Sequence, residues 1–300
     1  MLSISATEDW SASHPGASIG VLELSGVEND RSSPPLDARK RAAEADLRGR
    51  YRGFTRQDFL ALPVMSAYDE YYKRFNKTYH VQLQVESIVL KGKELPNVSP
   101  AVDANFMAEM KTLVLTAGHD VAKLRDSIVI DVSREGDHIV QMSGTLRKLR
   151  LGDMIMRDAE GICCSIIYGQ DDRSPISRQS SHVLYVAYAP SGVPAEQVDL
   201  QLRSILENIS LCSPAAIVEQ RRLISSTPSE PAAVEGPGET RRGQERQCGE
   251  GDADERKAAA GPLAPRPLPG DQRDEQAGQS HHEGKKGPGS EGRKRERSRG

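Results

Sequence analysis

The stretch from Val102 to Leu124 reads VDANFMAEMKTLVLTAGHDVAKL. Val102, Phe106, Met110, Leu113 and Val114 recur at the spacing of one helical face, which predicts a buried helix. Gly118 stands where a helix C-cap belongs, so the helix is expected to run into Ala117-Gly118-His119-Asp120. Asn105, His119 and Asp120 would then put polar groups at the end of an apolar helix, as in the wall of a small pocket. The plainer alternatives are a local helix hydrogen bond for Asn105 and a helix-end cap for His119 and Asp120.

Upstream, residues 19–27 (IGVLELSGV) alternate as a half-buried strand would. PPLDARKRAAEADLRGRY is rich in helix formers, with Pro35 near its start. TRQDFLAL and VMSAYDEYYKRF predict two short helices separated by Pro63. Tyr68, Tyr71, Tyr72 and Phe75 recur at helical spacing there, as a core stripe or, less simply, a base-stacking platform. Residues 78–95 (TYHVQLQVESIVLKGKEL) fit strand and helix alike; helix is preferred, with Gly92 ending it.

Downstream, the period changes to two. DSIVIDVSREGDHIVQMSG predicts a hairpin around Glu135-Gly136-Asp137, and GDMIMRDAEGICCSIIYG a second one turning at Ala159-Glu160-Gly161. SHVLYVAYAP predicts another strand. VPAEQVDLQLRSILENISLC predicts a final amphipathic helix with Val198, Leu202, Ile205 and Ile209 on one face. Helices first, strands later and a helix last define an α+β class.

Composition sets the outer bounds. The chain has 300 residues and a formal net charge of −3, so no global positive field draws it to nucleic acid. Residues 1–16 carry no signal-peptide pattern and are expected to be a flexible N-terminus. Residues 17–224 are expected to form one domain. From about Ser225 onward, large apolar residues almost vanish, so residues 225–300 are expected to be a disordered tail. No stretch approaches the roughly 20 apolar residues of a membrane span, which predicts a soluble, cytoplasmic protein without membrane partners. Cys163 and Cys164 are adjacent, the wrong spacing for a zinc knuckle or redox pair, and are expected to be reduced and apolar. Neither a phosphate-binding nor a dinucleotide-binding glycine motif is present in a strand–turn–helix context, so no cofactor is expected.

Four stretches in order carry a resemblance: VLKGKELPNVSPAVDANF, TAGHDVAKLRDSIVID, LRLGDMIMRDAEGICCSIIYGQDDRSPIS and AYAPSGVPAEQV. Together they resemble the tRNA-binding B3/B4 domain of the phenylalanyl-tRNA synthetase beta subunit, and more closely the free-standing proteins built of that domain alone. The resemblance implies a three-layer fold with a β-sandwich of unusual topology. It implies tRNA or aminoacyl-tRNA as partner. It also implies a pocket of the kind that hydrolyses tRNA charged with tyrosine instead of phenylalanine, although the chain is too short to activate phenylalanine itself. Where the synthetase pattern has His-Ala-Phe-Asp, this chain has Ala117-Gly118-His119-Asp120. The aspartate matches Asp120, but the family histidine falls on Ala117. The family Gly-Gly followed by Ser-Glu is met by Gly169-Gln170-Asp171-Asp172, then Ser174-Pro175. Asp171 or Asp172 is left to stand for the missing carboxylate.

Two expectations follow. Hydrolysis of an activated ester needs a held side chain, a positioned water and an oxyanion donor, with no strong side-chain triad. The catalytic candidates are Asn105, His119, Asp120 and Gly169, with Gln170 and Asp171 holding substrate. The alternative is a module that binds RNA or an amino-acid-like ligand without chemistry. His80 and His138 are expected on the surface or in the hairpin. The basic groups expected to meet RNA are Lys91 and Lys93, then Arg147, Lys148 and Arg150.

Overall fold

The computed structural model describes residues 1–226. The expected disordered tail therefore lies, from residue 227 on, outside the described residues. The class is α+β: the described residues form seven α-helices and two main antiparallel-rich sheets.

The first sheet joins β2 (Ser18–Ser25), β3 (Thr116–Asp120), β10 (Val183–Ala189) and β11 (Ile217–Ser225) in the order β11-β2-β10-β3. All its pairings are antiparallel. Strands β2 and β10 are central and buried almost throughout, as their continuous apolar runs require. Helices α6 (Pro100–Thr112) and α7 (Ala195–Ile209) pack on each other, and α7 also lies on β2 and β10. Beside α6 lies α2 (Pro34–Arg50), tied to it by the buried Lys40–Asp103 ion pair at 2.6 Å.

The second sheet has the order β1-β4-β7-β8-β9, from β1 (Ile4–Ala6), β4 (Ile128–Val132), β7 (Met154–Asp158), β8 (Gly161–Ser165) and β9 (Gly169–Gln170). Helices α3 (Arg56–Leu60), α4 (Pro63–Lys73) and α5 (His80–Val89) complete the core. The tyrosine stripe of α4 is core: Tyr71 Oη donates to Asp153 at 2.7 Å, and Tyr68 Oη donates to the carbonyl of Tyr188 on β10 at 2.6 Å. One helix thus ties both sheets together.

Several expectations change. Helix α6 ends at Thr112, not at Gly118, because Leu113 takes the left-handed conformation at φ +65°. Thr112 Oγ1 donates back to the Ala108 carbonyl and accepts from Val114 N–H, which closes the helix end. The residues 116–120 then extend as β3, since β10 offers them a partner strand. The turn at Glu135-Gly136 forms, but its flanks do not pair with each other. Strand β4 pairs with β7 and β1, while β5 (His138–Val140) pairs with β6 (Leu146–Lys148) in a small separate ribbon. Residues 1–16 are not a loose end: β1 pairs in parallel with β4, and α1 (Glu8–Ser13) is capped by Thr7 and buries Trp10 completely. The last element is β11 rather than a helix; its many polar, exposed positions hide the alternation that would reveal an edge strand.

Gly20 on β2 sets how closely α7 approaches. A Cβ there would lie 2.6 Å from Val198 Cγ1 and 3.2 Å from Ala187 Cβ. Gly20→Val is expected to lower the melting temperature by roughly 5–10 °C through overpacking. Gly49→Ala, in α2 with open space around it, is expected to leave it unchanged or raise it. Thermal denaturation of both variants checks the pair.

Candidate functional site

A cavity of about 360 Å³ opens between α5, α6, β3 and the β8–β9 corner. Its apolar walls include Val102, Phe106, Leu115, Ile166 and Ile176. Its polar groups include Gln84, Asn105, Glu109, Thr116, Gln170 and Tyr188. The two segments singled out in the sequence therefore meet: Asn105, Ala117 and Gly118 form part of one wall, Gly169 and Gln170 part of another.

The helix-to-strand turn is held by a buried polar network. Asn105 Nδ2 donates to the Thr116 carbonyl at 3.0 Å, and Asn105 Oδ1 accepts from Gln201 Nε2 of α7 at 3.2 Å. Gln201 also donates to Thr116 Oγ1 at 2.9 Å and accepts from Thr112 Oγ1 at 2.6 Å. Thr116 N–H donates to Glu109 Oε1 at 2.7 Å. Both polar ends of Asn105 are thus engaged within the protein, although its side chain borders the cavity.

His119 and Asp120 sit beside the cavity and do not line it. His119 is fully buried; its Nδ1 lies 2.7 Å from Ser174 Oγ and 3.0 Å from Gln170 Nε2. Burial, with Arg173 nearby, pushes its pKa down to about 3, so the ring is neutral. Asp120 accepts from Ala122 N–H at 3.1 Å and Ser180 Oγ at 2.7 Å, which caps the short 3-10 turn after β3. Asp171 is buried and accepts from Ser174 Oγ at 2.5 Å. Burial raises its pKa. It too stands outside the cavity. Gln170 reaches across the gap, donating to the Gly118 carbonyl at 2.7 Å. Gly169 has φ +86°, which favours glycine, and open space where a Cβ would stand.

The basic candidates divide. Arg147 and Lys148 project from β6, and Arg150 follows it; all three are exposed. Arg150 Nη1 donates to the Phe75 carbonyl. The Arg147 guanidinium lies 5.8 Å from the Tyr168 ring centroid, next to Gly169. Lys77 lies 5.3 Å from the same centroid. Lys91 and Lys93 are exposed on the separate segment that follows α5.

Sequence reasoning missed Glu109, Gln84, Tyr188 and Lys77. Glu109 lies four residues after Asn105, so helical spacing alone could have put the two on one face. His80, expected at the surface, lines the cavity, and burial lowers its pKa to about 4. Tyr188 Oη and Gln84 Oε1 are buried and have no hydrogen-bond partner in the protein. Glu109 is raised to about 8, chiefly by burial. Among the described residues there is no group of three or more His, Cys, Asp or Glu placed to hold a metal ion, and no helix long and apolar enough to cross a membrane.

No family model matches the sequence, and no curated protein does. Among solved structures, one similar to this chain is the crystal structure of an N-terminal fragment of the phenylalanyl-tRNA synthetase beta-subunit from Pyrococcus horikoshii. The two share 8% identity and a TM-score of 0.38, over 74% of this chain and 50% of that one. The chain thus spans about half the length of that fragment, and the likeness is a weak one at the level of the fold.

A Glu raised in the folded state stabilises the fold fully below its unfolded pKa, near 4.5, and loses that contribution as pH rises through about 8. Between those limits the parent should lose up to about 1.4 kcal/mol per pH unit relative to Glu109→Gln. Chemical denaturation of both proteins from pH 4.5 to 8.5 checks this. A constant difference would contradict it.

Proposed function

We propose that this chain is a B3/B4-type module that engages charged tRNA and holds its aminoacyl group in the cavity. The carrying observation is that the two sequence segments resembling the family pocket border one amino-acid-sized cavity. The 17–224 boundary belongs to this proposal, with the N-terminal strand and helix now added to the module. Arg147, beside Tyr168 and Gly169, would set phosphate contacts next to the cavity, with Lys148 and Arg150 on the same ribbon. Lys91 and Lys93 would extend the RNA surface from α5.

Binding is favoured over hydrolysis by the surroundings of His119 and Asp120, whose side chains bond inward. Hydrolysis in trans is the second assignment. Gly169 favours it: its conformation and the open space beside it let an ester approach the backbone.

Charged tRNA is expected to bind at least about tenfold tighter than the uncharged form, which is about 1.4 kcal/mol of added contact. Gly169→Val should erase that difference and leave uncharged tRNA binding unchanged. Filter binding with both tRNA forms measures it; equal affinities in the parent would contradict the proposal. Ester loss above the spontaneous rate, removed by Gly169→Val, would select the hydrolytic assignment.

Changing Arg147, Lys148 and Arg150 together to Ala should flatten log affinity against log salt by roughly two or three units. An unchanged slope would return these residues to ordinary surface charge.

A further inference from the structure

The cavity has a one-sided charge chemistry. None of its lining residues is Lys, Arg or Asp. Its one acid is Glu109, buried at 3% exposure, and its one histidine is His80, whose Nδ1 faces Tyr72 Oη at 3.1 Å. A carboxylate entering this space would leave water without gaining a countercharge, and it would approach a second carboxyl group. Desolvated, unpaired charges are strongly disfavoured.

The unpartnered atoms point to the opposite kind of guest. Gln84 Oε1 is an acceptor only and lacks a donor; Tyr188 Oη has only the Cys164 thiol beside it and can still accept. Glu109 accepts from Thr116 N–H, with the Asn105 amide also beside it, and its two oxygens leave capacity for more. The cavity therefore presents acceptors on an apolar frame. From this we infer that it recognises the ammonium group of an amphipathic primary amine that carries no free carboxylate, and that Glu109 gives up its proton as the amine enters. This rests on the cavity being the aminoacyl site, and it narrows the ligand to amines and amino acids whose carboxyl group is esterified or amidated.

The groups facing Glu109 do not compete for that proton. Tyr68 from α4, Tyr72 from the end of α4 and Tyr79 from the start of α5 are buried, and each has its pKa raised by burial. Tyr188 from β10 is raised in the same way, and burial pushes Cys164 of β8 up to about 12. His80 stays neutral above pH 5, with its pKa held down to about 4. Asn105 and Thr116 do not titrate. Behind the wall, Asp153 accepts from Ser165 Oγ and Tyr71 Oη, and burial raises its pKa to about 7, so it too changes charge over pH 6–9. On the cavity wall itself the acid that does so is Glu109, and Glu109→Gln separates the two.

The probes are phenethylamine and phenylalanine, which differ by the carboxylate, with isothermal calorimetry in buffers of different ionisation heat. Phenethylamine should bind with release of about one proton at pH 6.5, its affinity rising about tenfold per pH unit to near pH 8 and levelling above. Phenylalanine should bind at least about 100-fold more weakly, the scale of an uncompensated buried charge. Glu109→Gln, which can still accept from Thr116 N–H, should remove the proton release and the pH dependence. Gln84→Leu should weaken the amine and leave the proton release intact. Phenylalanine binding within tenfold of phenethylamine, or amine binding without proton release by the parent, would overturn the inference while leaving the tRNA proposal standing. Failure of both probes to bind would overturn it too, and the charged-tRNA comparison then decides the proposal beneath it.

Discussion

The cavity depends on one buried hydrogen-bond network at the turn from α6 into β3. Helix α6 must stop and the chain must reverse into a strand within three residues, all of it buried. Such a turn strands backbone groups, and each one left unpaired costs about 1–3 kcal/mol. Here Glu109 takes Thr116 N–H, Asn105 takes the Thr116 carbonyl, and Gln201 of α7 bridges Asn105, Thr112 and Thr116. Leu113 accepts a left-handed backbone to make the turn possible. This network anchors Thr116, the first residue of β3, from which the ladder to β10 carries Gly118 to the cavity wall.

The same network decides what the site can do. Asn105 is held as a strut with both polar ends engaged. Glu109 is spent on one side by Thr116 and on the other borders the cavity, where burial favours its neutral form. His119 is wired through Ser174 to Asp171, away from the cavity, and its ring is neutral. No ionised nucleophile–base pair faces the space. Around the cavity most polar side chains are engaged in holding the fold, and the backbone at Gly169 has open space beside it.

Much of the fold was legible because periodicity reports burial. The α4 tyrosines, α7 and the β7–β8 hairpin follow from spacing, and α2 from its helix-forming composition; α5, whose spacing fits strand and helix alike, is a helix as preferred. What was not legible depended on partners distant in sequence. Thr116 to Asp120 extends because β10 lies alongside, which no local pattern announces. Strands β4 and β5 look like a hairpin, yet β4 finds a better partner in β7. Strand β11 carries Glu219, Gln220, Arg221 and Arg222 in a row, so its edge position masks its period. For the site, the sequence led to two segments that the fold brings to one cavity. It did not single out Glu109, because the carboxylate was sought near Asp171 by analogy, whereas Glu109 stands out only through burial against β3.

The state of Glu109 joins the turn, the cavity and the ligand chemistry in one observable. The most direct measurement is a carboxyl carbon-13 NMR titration of the full chain, with the Glu109 resonance assigned by Glu109→Gln. The account predicts a midpoint near pH 8 in the free protein, displaced downward when an amine occupies the cavity. A midpoint near 4.5, the ordinary value for a solvated glutamate, would mean that this carboxyl is not buried against β3, and the account of the cavity would fail with it.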